Sequence, residues 1–473
     1  MEFAISSIAT AGYRLIPYFK EHLNDNAWLS AQDVHKLGDK AGDGGIYGAP
    51  EDQSWVHYLC LGEEVSLQSA HKIIRKWMIG NASSLPDTIA VDLTHMSTPI
   101  IFQIVLGLEL ADYNMGDLKS EVELTAVSKA ELLVISADQS AEEMIQEASL
   151  TAQAMKSAMK LVDTPSNIKT PQYLAKWAHE SSKQHQYRVE VLSKEALDKE
   201  GLEALLAVGQ GSEHPPVLIK MEYRPLKDQD WHLGLVGKGV TFDTGGVSLK
   251  KPLNMHYMKS DMGGAAAVMC AIELIARLAL PINVVAVVPV AENTLDARSI
   301  KPGDVIGSYS KKSIEIIDTD AEGRLILADA LSYLHKHYNP KSVVDLATLT
   351  GSCVATLGYH AAGVFTNSDE LFDQLQKAGE QAHEKIWRLP LWEAYEEDLH
   401  SDVADIRNFS GKPLAGAITA AKFLEFFIKD HPNWAHLDIA GVAFGNTDHA
   451  KMKSATGFGV RLIAEYAKLL RES

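Results

Sequence analysis

Cysteine is scarce in this sequence: Cys60, Cys270 and Cys353 are the only three, widely spaced and without a CxxC pair. Such usage offers no disulfide framework and suits a reducing compartment. No apolar run is long enough to span a bilayer, so a membrane role is not expected. Basic runs are missing as well. The formal charge is −18, which over most of the surface repels a nucleic-acid backbone. The opening stretch MEFAISSIATAG carries Glu2 and no basic residue before Arg14, so it lacks the charged start of a secretory signal. These absences point to a cytoplasmic protein. The familiar hydrolase and nucleotide signatures GxSxG, HExxH and GxxxxGK[ST] are also absent, and Ser308 to Lys311 forms an SxxK with nothing around it to support a serine–lysine enzyme.

What is present is ample material for a core. At 473 residues with 46% hydrophobic and 22% charged side chains, the chain predicts a soluble α/β protein of two domains. In the first, apolar runs at Trp55–Leu61, Ile89–Leu93 and Leu132–Ile135 have strand length and alternate with segments of helical period. His57, His71 and His95 lie there without partners at ligand spacing, and packed or solvated histidines are expected. A long amphipathic helix follows at Ala141–Leu161, with acids early and lysines late. Thr170-Pro171 then opens another helix. A boundary near Val162 gives a small N-terminal α/β domain, 1–162, and a larger domain, 163–473. In the larger domain, candidate strands at Tyr187–Leu192, Pro216–Met221, His232–Val236, Ile282–Val290, Ser313–Ile317, Ser342–Leu349 and His436–Ile439 alternate with helical stretches. Several are apolar throughout, which predicts a mainly parallel sheet sandwiched between helices. Ligands of such sheets collect beyond the carboxyl ends of the strands.

Two stretches concentrate the chemistry at such ends. Val236–Gly264 holds Lys238, Asp243, Lys250 and Asp261, and Asp318–Leu325 adds Asp320, Glu322 and Arg324. Carboxylates in this number suit hard, oxygen-seeking cations. In an extended segment Asp320 and Glu322 aim at one point; alternatively they are helix N-terminal acids that favour the dipole. Asp261 is either a ligand or the cap of the small-residue helix after it. Asp243 precedes Gly245 and Gly246, a tight turn. Lys238 is either a strand-end residue paired with an acid or, beside metal ions, a neutral nitrogen donor. Lys250 is placed to remain charged and to stabilise an oxyanion, and Lys251 to face solvent. Four carboxylates around two divalent ions roughly 3.5–4 Å apart would generate a nucleophile near neutral pH.

The blocks VGKGVTFDTGG, MKSDMGGAAAV and TDAEGRL resemble the leucyl aminopeptidase, or cytosol aminopeptidase, family. DTPSN with TPQYLA, AENT, KPGDVI, DLATLTG, TLG, AGAITAAKFL, WAHLDIAG and ATGFGVR extend the likeness in order from Asp163 to the C-terminus. The resemblance implies a two-metal aminopeptidase, usually with zinc and with manganese or magnesium accepted at the looser site. It implies Lys238, Asp243, Asp261 and Glu322 for the tighter metal, and Asp243, Asp320 with its backbone carbonyl, and Glu322 for the looser. Lys250 and Arg324 become the catalytic pair, Arg324 holding a bicarbonate that acts as general base, with Leu349–Gly351 around it. Met258, Thr348 and Gly351 line the side-chain pocket, suited to leucine or methionine. The implied substrates are peptides with a free N-terminus, and the implied assembly is a homohexamer, a dimer of trimers. Two positions depart from the family pattern: Asp318 stands where asparagine is usual, and His256, beside Tyr257, where members often carry an acid. Neither removes a ligand. Some relatives also bind DNA, an alternative the net charge and missing basic run oppose; an inactive scaffold is the other, opposed by suitable residues at every metal and catalytic position.

Overall fold

The computed structural model describes residues 3–6, 13–20, 40, 42, 44–49, 54–63, 67–86, 88–94, 96–120, 131–135, 140–227, 230–448 and 450–472. The chain divides into two compact units, Met1–Lys156 with Asp448–Lys451, and Ser157–Thr447 with Met452–Ser473.

The first unit is built on a six-stranded sheet of β1 (Phe3–Ser6), β2 (Tyr13–Tyr18), β3 (Gly44–Ala49), β4 (Ser54–Cys60), β5 (Thr88–Asp92) and β6 (Glu131–Ile135), in the order β1-β6-β5-β2-β4-β3. All neighbours are parallel except β3 and β4. Helix α1 (Leu67–Asn81) packs on α2 (Thr98–Leu110). The sequence of α2, TPIIFQIVLGLEL, is apolar on nearly every side, and it is buried accordingly. His57 is a packed histidine, its Nε2 accepting from Trp77 Nε1 at 3.0 Å. His71 is half-buried, and His95 lies outside the described residues.

Helix α3 (Ser140–Asp163) is followed by α4 (Pro171–His185), whose start reads as Thr170-Pro171 predicts: Thr170 Oγ1 accepts from Tyr173 N at 3.3 Å. Next come β7 (Arg188–Leu192), α5 (Lys194–Glu200), α6 (Glu203–Gly209), β8 (Val217–Tyr223), β9 (Leu233–Gly237), β10 (Gly239–Asp243) and α7 (Gly263–Arg277). The chain continues through β11 (Val284–Asn293), β12 (Val305–Ile306), β13 (Ile314–Glu315), α8 (Gly323–Tyr338), β14 (Ser342–Ala347) and α9 (Gly351–Leu357). It closes with β15 (Ala362–Thr366), α10 (Asp369–Ala382), β16 (Ile386–Arg388), β17 (Ile406–Arg407), α11 (Gly416–Ile428), β18 (Trp434–Asp438), β19 (Phe444–Gly445), β20 (Ser454–Ala455) and α12 (Val460–Glu472).

Nine strands form the main sheet, in the order β16-β15-β18-β14-β9-β11-β8-β7, with β10 also pairing β11. The central strands β18, β14, β9 and β11 are parallel, and antiparallel pairs occur only toward the flanks, at β15–β18, β11–β8 and β7–β8. Every residue of β9, β14 and β18 is buried, as apolar runs without alternation predict. Two glycines of β9 mark the two faces. A Cβ at Gly234 would lie 2.8 Å from Leu334 of α8, and one at Gly237 would lie 2.8 Å from Ala265 of α7. Helices α7, α4 and α12 therefore cover one face and α8, α6 and α11 the other. Leu325, Ile326, Leu327, Leu331 and Leu334 of α8 are fully buried, each contributing about 1.5–3 kcal/mol of burial. Two expectations differ in detail. Ser313–Ile317 shrinks to the two-residue β13, because its partners β12 and β17 are equally short. Strands β10, β15 and β16 had no counterpart among the apolar runs; β10 is VTFD behind a glycine and β16 is three residues, partly exposed.

Candidate metal centre

Lys238 fills the single residue between β9 and β10. Its backbone is tied to β14 and to α7, donating to Leu346 O at 3.0 Å and accepting from Ala265 N at 2.9 Å. The side chain therefore leaves the carboxyl edge of the sheet from a fixed point. Its Nζ lies 2.9 Å from Asp261 Oδ2, 2.9 Å from Glu322 Oε1 and 2.9 Å from Thr348 O. Gly323 makes room for it: a Cβ there would stand 2.5 Å from Lys238 Cε and 2.6 Å from Nζ.

Asp243 ends β10, beyond a register shift against β11. Its Oδ1 accepts from Asn293 Nδ2 at 2.8 Å and from Gly245 N at 2.9 Å. Its Oδ2 faces Lys250 Nζ at 2.7 Å, and that amine also contacts Asp320 Oδ1 closely. Gly245 has φ +84°, and a Cβ there would come within 2.9 Å of Asp320 Oδ1, so the turn needs glycine for both reasons. Lys251 is exposed.

Asp261 and Glu322 each stand next to a helix, and neither caps it. The N-cap position of α7 is Met262; the Asp261 carboxylate instead accepts from Thr348 Oγ1 at 2.8 Å and meets Lys238. Glu322 holds the N-cap position of α8 in helical conformation with no capping bond. The extended geometry expected for Asp320 and Glu322 is not found: Asp320 lies in a turn in which its N–H donates to Asp318 Oδ1 at 2.9 Å. The two carboxylates converge all the same, because the helix start turns Glu322 back over the turn. Asp243, Asp320 and Glu322 each offer an oxygen, all within 4.8 Å of one another.

Arg324, the second residue of α8 and only 5% exposed, donates from Nη1 to Asn408 O at 2.8 Å. Its Nε is buried without a hydrogen-bond partner among the described residues, and so is Glu322 Oε2. Thr348 and Leu349 lie on the connection from β14 to α9, and Gly351 is the first residue of α9. A Cβ at Gly351 would meet open space among the described residues, whereas the Thr348 methyl would lie 3.1 Å from one at Gly263. Met258 is half-buried in the 3₁₀ turn Met255–Ser260, just before Asp261. His256 is exposed with its ring 4.0 Å from that of Tyr257, which leans on Phe444. Three positioning residues were not singled out from the sequence. Asn293 and Asp438 lie inside the quoted AENT and WAHLDIAG blocks, which was their only signal. Asn408 orders the Asp318 turn, donating to Asp318 O at 2.6 Å and accepting from Ile317 N at 2.8 Å, from a loop with no distinguishing pattern.

Electrostatically the cluster sets four carboxylates against two ammonium groups, with Lys238, Asp243, Asp261 and Glu322 buried and Lys250 and Asp320 partly exposed. Burial raises Asp261 well above the usual carboxylate range and raises Asp243, helped by Glu322 and opposed by the lysines. Burial, then Asp243 and Glu322, lift Asp320 to about 7. Burial also acts upward on Glu322, but Lys238 and Lys250 hold it below its ordinary value. For both lysines burial acts downward and is outweighed, by Asp261 and Glu322 at Lys238 and by Asp243 and Glu322 at Lys250, so both are raised. Burial brings Arg324 down to about 10 against Glu322, Asp318 and Asp438. Asp243, Asp261 and Asp320, pushed upward by burial and then by their carboxylate neighbours, together with the unsatisfied buried oxygen of Glu322, fit divalent cations.

Fold and site together define an α/β chain with a carboxylate-and-lysine centre for divalent cations at the carboxyl rim of its main sheet. The chain belongs to the cytosol aminopeptidase family, whose catalytic domain matches residues 156–464. It is 48% identical over 319 residues to a probable cytosol aminopeptidase of Chlorobium limicola, covering 67% of this chain and 63% of that one. It is 44% identical over 370 residues to a cytosol aminopeptidase of Rickettsia prowazekii, covering 77% and 74%. The matched stretch thus spans less than two thirds of the Chlorobium relative. A solved structure, the bottromycin maturation enzyme BotP in complex with Mn, superposes with a TM-score of 0.86 at 31% identity, covering 98% of this chain and 100% of that one.

Proposed function

We propose that this chain is a metallo-aminopeptidase that releases N-terminal residues, leucine-like ones preferred, from peptides, with 163–473 as its catalytic domain. The observation that carries the reading is the convergence of Asp243, Asp261, Asp320 and Glu322 on the buried amine of Lys238 and the partly exposed amine of Lys250, within a member of the cytosol aminopeptidase family.

Lys238, Asp243, Asp261 and Glu322 would hold one cation, and Asp243, Asp320 and Glu322 with the Asp320 carbonyl a second; zinc or manganese suits this donor set, and BotP was solved with Mn. Bound there, such ions supply Lewis acidity and water activated near neutral pH. The carboxylates that keep the proton on Lys238 would then be engaged by the ions, so that the amine would release its proton to solvent and its neutral nitrogen could donate. Lys250 stays an ammonium and stabilises negative charge developing on the scissile carbonyl oxygen. Arg324, with its unpartnered Nε, would hold a small anion; bicarbonate is the anion proposed, as general base. Met258, Thr348 and Gly351 receive the first side chain, and Leu349 borders the anion. A free amino terminus is required to fix the first peptide bond over the centre.

A homohexamer and a cytoplasmic location belong to the same reading. The second is supported by the relatives' printed names; among the described residues no helix is long and apolar enough to cross a membrane. No observation favours the DNA-binding alternative.

The test is hydrolysis of leucine p-nitroanilide by protein stripped of metal and titrated with zinc and manganese, beside an Asp320→Ala, Glu322→Ala double variant. Metal-dependent release, lost in the variant, is the expected result. Metal-loaded protein that cleaves neither this nor any of a panel of unblocked peptides refutes the proposal.

A further inference from the structure

Lys169 is fully buried, among the largest side chains in the molecule with no exposure. Taking an ammonium out of water costs several kcal/mol unless its surroundings compensate. No carboxylate forms an ion pair with it among the described residues. Its Nζ donates to two backbone carbonyls, Val162 O at 2.8 Å and Lys259 O at 2.5 Å. Both carbonyls belong to helix ends: Val162 to the last turn of α3, and Lys259 to the last turn of the 3₁₀ helix Met255–Ser260. Carbonyls at such ends lack intrahelical partners and carry the negative end of the helix dipole. The arrangement is reciprocal, since Lys259 Nζ donates back to Asp163 O, the final carbonyl of α3, at 2.6 Å. Two lysines thus cross between two helix C-termini.

Burial drives the Lys169 amine well below the ordinary lysine value, and Lys259 adds to this against Asp163 and Asp261. A neutral amine still has two N–H groups, and the geometry asks for two. The clasp therefore holds in either protonation state.

The 3₁₀ turn it grips carries Met258 and runs straight into Asp261, whose N–H donates to Met258 O at 3.3 Å and whose C=O accepts from Val240 N at 3.3 Å. A shift of that turn moves a wall of the side-chain pocket and a carboxylate of the metal centre together. We infer that Lys169, with Lys259, is a positioning residue that sets the Met258–Asp261 turn for substrate and cation binding. This inference rests on the aminopeptidase reading for the substrate, but its geometric part concerns the turn alone.

Lys169→Met keeps the length and apolar bulk of the side chain and removes both donors. Expected are a KM for leucine p-nitroanilide raised about tenfold with kcat within about threefold of the parent, and a zinc Kd, read by calorimetry, also raised about tenfold, the range seen when groups supporting metal ligands are removed. A folded Lys169→Met with parental KM and zinc Kd overturns the inference, whatever its melting temperature. Lys259→Met, which removes the other half of the clasp, is measured alongside; should Lys169→Met not fold, the same two constants in Lys259→Met decide. Calorimetry separates the two readings. A wild-type protein that cleaves no unblocked peptide, with zinc affinity still weakened in the variants, refutes the aminopeptidase and leaves the clasp standing. An active wild type with variants indistinguishable from it does the reverse.

Discussion

Gly323 and Lys238 share one volume: the lysine amine sits 2.6 Å from where a Cβ of residue 323 would be. Helix α8 begins at that glycine, although glycine in a helix is less favourable than alanine by about 1 kcal/mol. The position is therefore held for access and not for helix stability. Gly323→Ala should leave the helix intact and push Lys238 away from Glu322 and Asp261. Zinc affinity by calorimetry is expected to fall about 10–100-fold. An alanine variant that binds zinc as the parent does would show that Lys238 can be accommodated elsewhere.

Lys250 differs from Lys238 in exposure. Its side chain is 22% accessible and bridges Asp243 and Asp320 at the mouth of the site. If its charge serves a developing oxyanion, Lys250→Ala should lower kcat by about 10²–10³ while changing KM little. Steady-state kinetics on leucine p-nitroanilide read both constants, and a change confined to KM would assign Lys250 to ground-state binding.

The fold was legible in the sequence where burial is complete. INVVAVVPV and HLGLV read as doubly covered strands because past Asn283 and His232 no polar residue interrupts them, and Thr170-Pro171 marks a helix start by local chemistry alone. Short pairings such as β12–β13–β17 were not legible, since two-residue strands carry no period. At the candidate site the sequence singled out residues that the fold brings together, but not the geometry in which they meet. Asp320 and Glu322 converge through a turn and a helix start, because Asn408, 84 positions beyond Arg324, fixes the Asp318 turn from a distant loop. Nor could Gly323 be distinguished from an ordinary glycine until Lys238 was seen beside it.

Asp438 holds the loop that carries Thr348 and Leu349 and leads into α9 at Gly351. It ends β18 and accepts from Leu349 N at 3.3 Å, Ala440 N at 3.1 Å and Thr350 Oγ1 at 2.7 Å, while Thr350 in turn caps α9 through Cys353 N. Asp438→Ala leaves these buried donors without an acceptor, at about 1–3 kcal/mol each. A lower denaturation midpoint together with a raised KM is the expected outcome. Asp438→Asn, which retains one acceptor oxygen for the two amides, should recover most of both. Equal damage in the two variants would mean that the charge, and not the hydrogen bonds, is what the loop requires.

Glu384 gives the chain a pH dependence remote from the metal centre. Its Oε2 accepts from Gly459 N at 3.0 Å and Leu462 N at 3.1 Å at the start of α12. Burial lifts its carboxyl to about 7 even so, against the pull of Arg461 and the two amides. A carboxyl raised above its unfolded value binds more protons in the folded state, so its contribution favours folding at low pH. That contribution is complete below the unfolded pKa of about 4.5 and is lost as pH rises to 7, an amount on the order of 3 kcal/mol. Glu384→Gln keeps an oxygen for both amides and removes the titration. Urea unfolding of parent and variant at pH 5, 6, 7 and 8 should therefore show their stability difference changing between pH 5 and 7 and constant above, the parent losing ground as pH rises. A difference that stays flat across the whole range would place the Glu384 carboxyl in its ordinary range, ionised throughout and stabilised by Arg461.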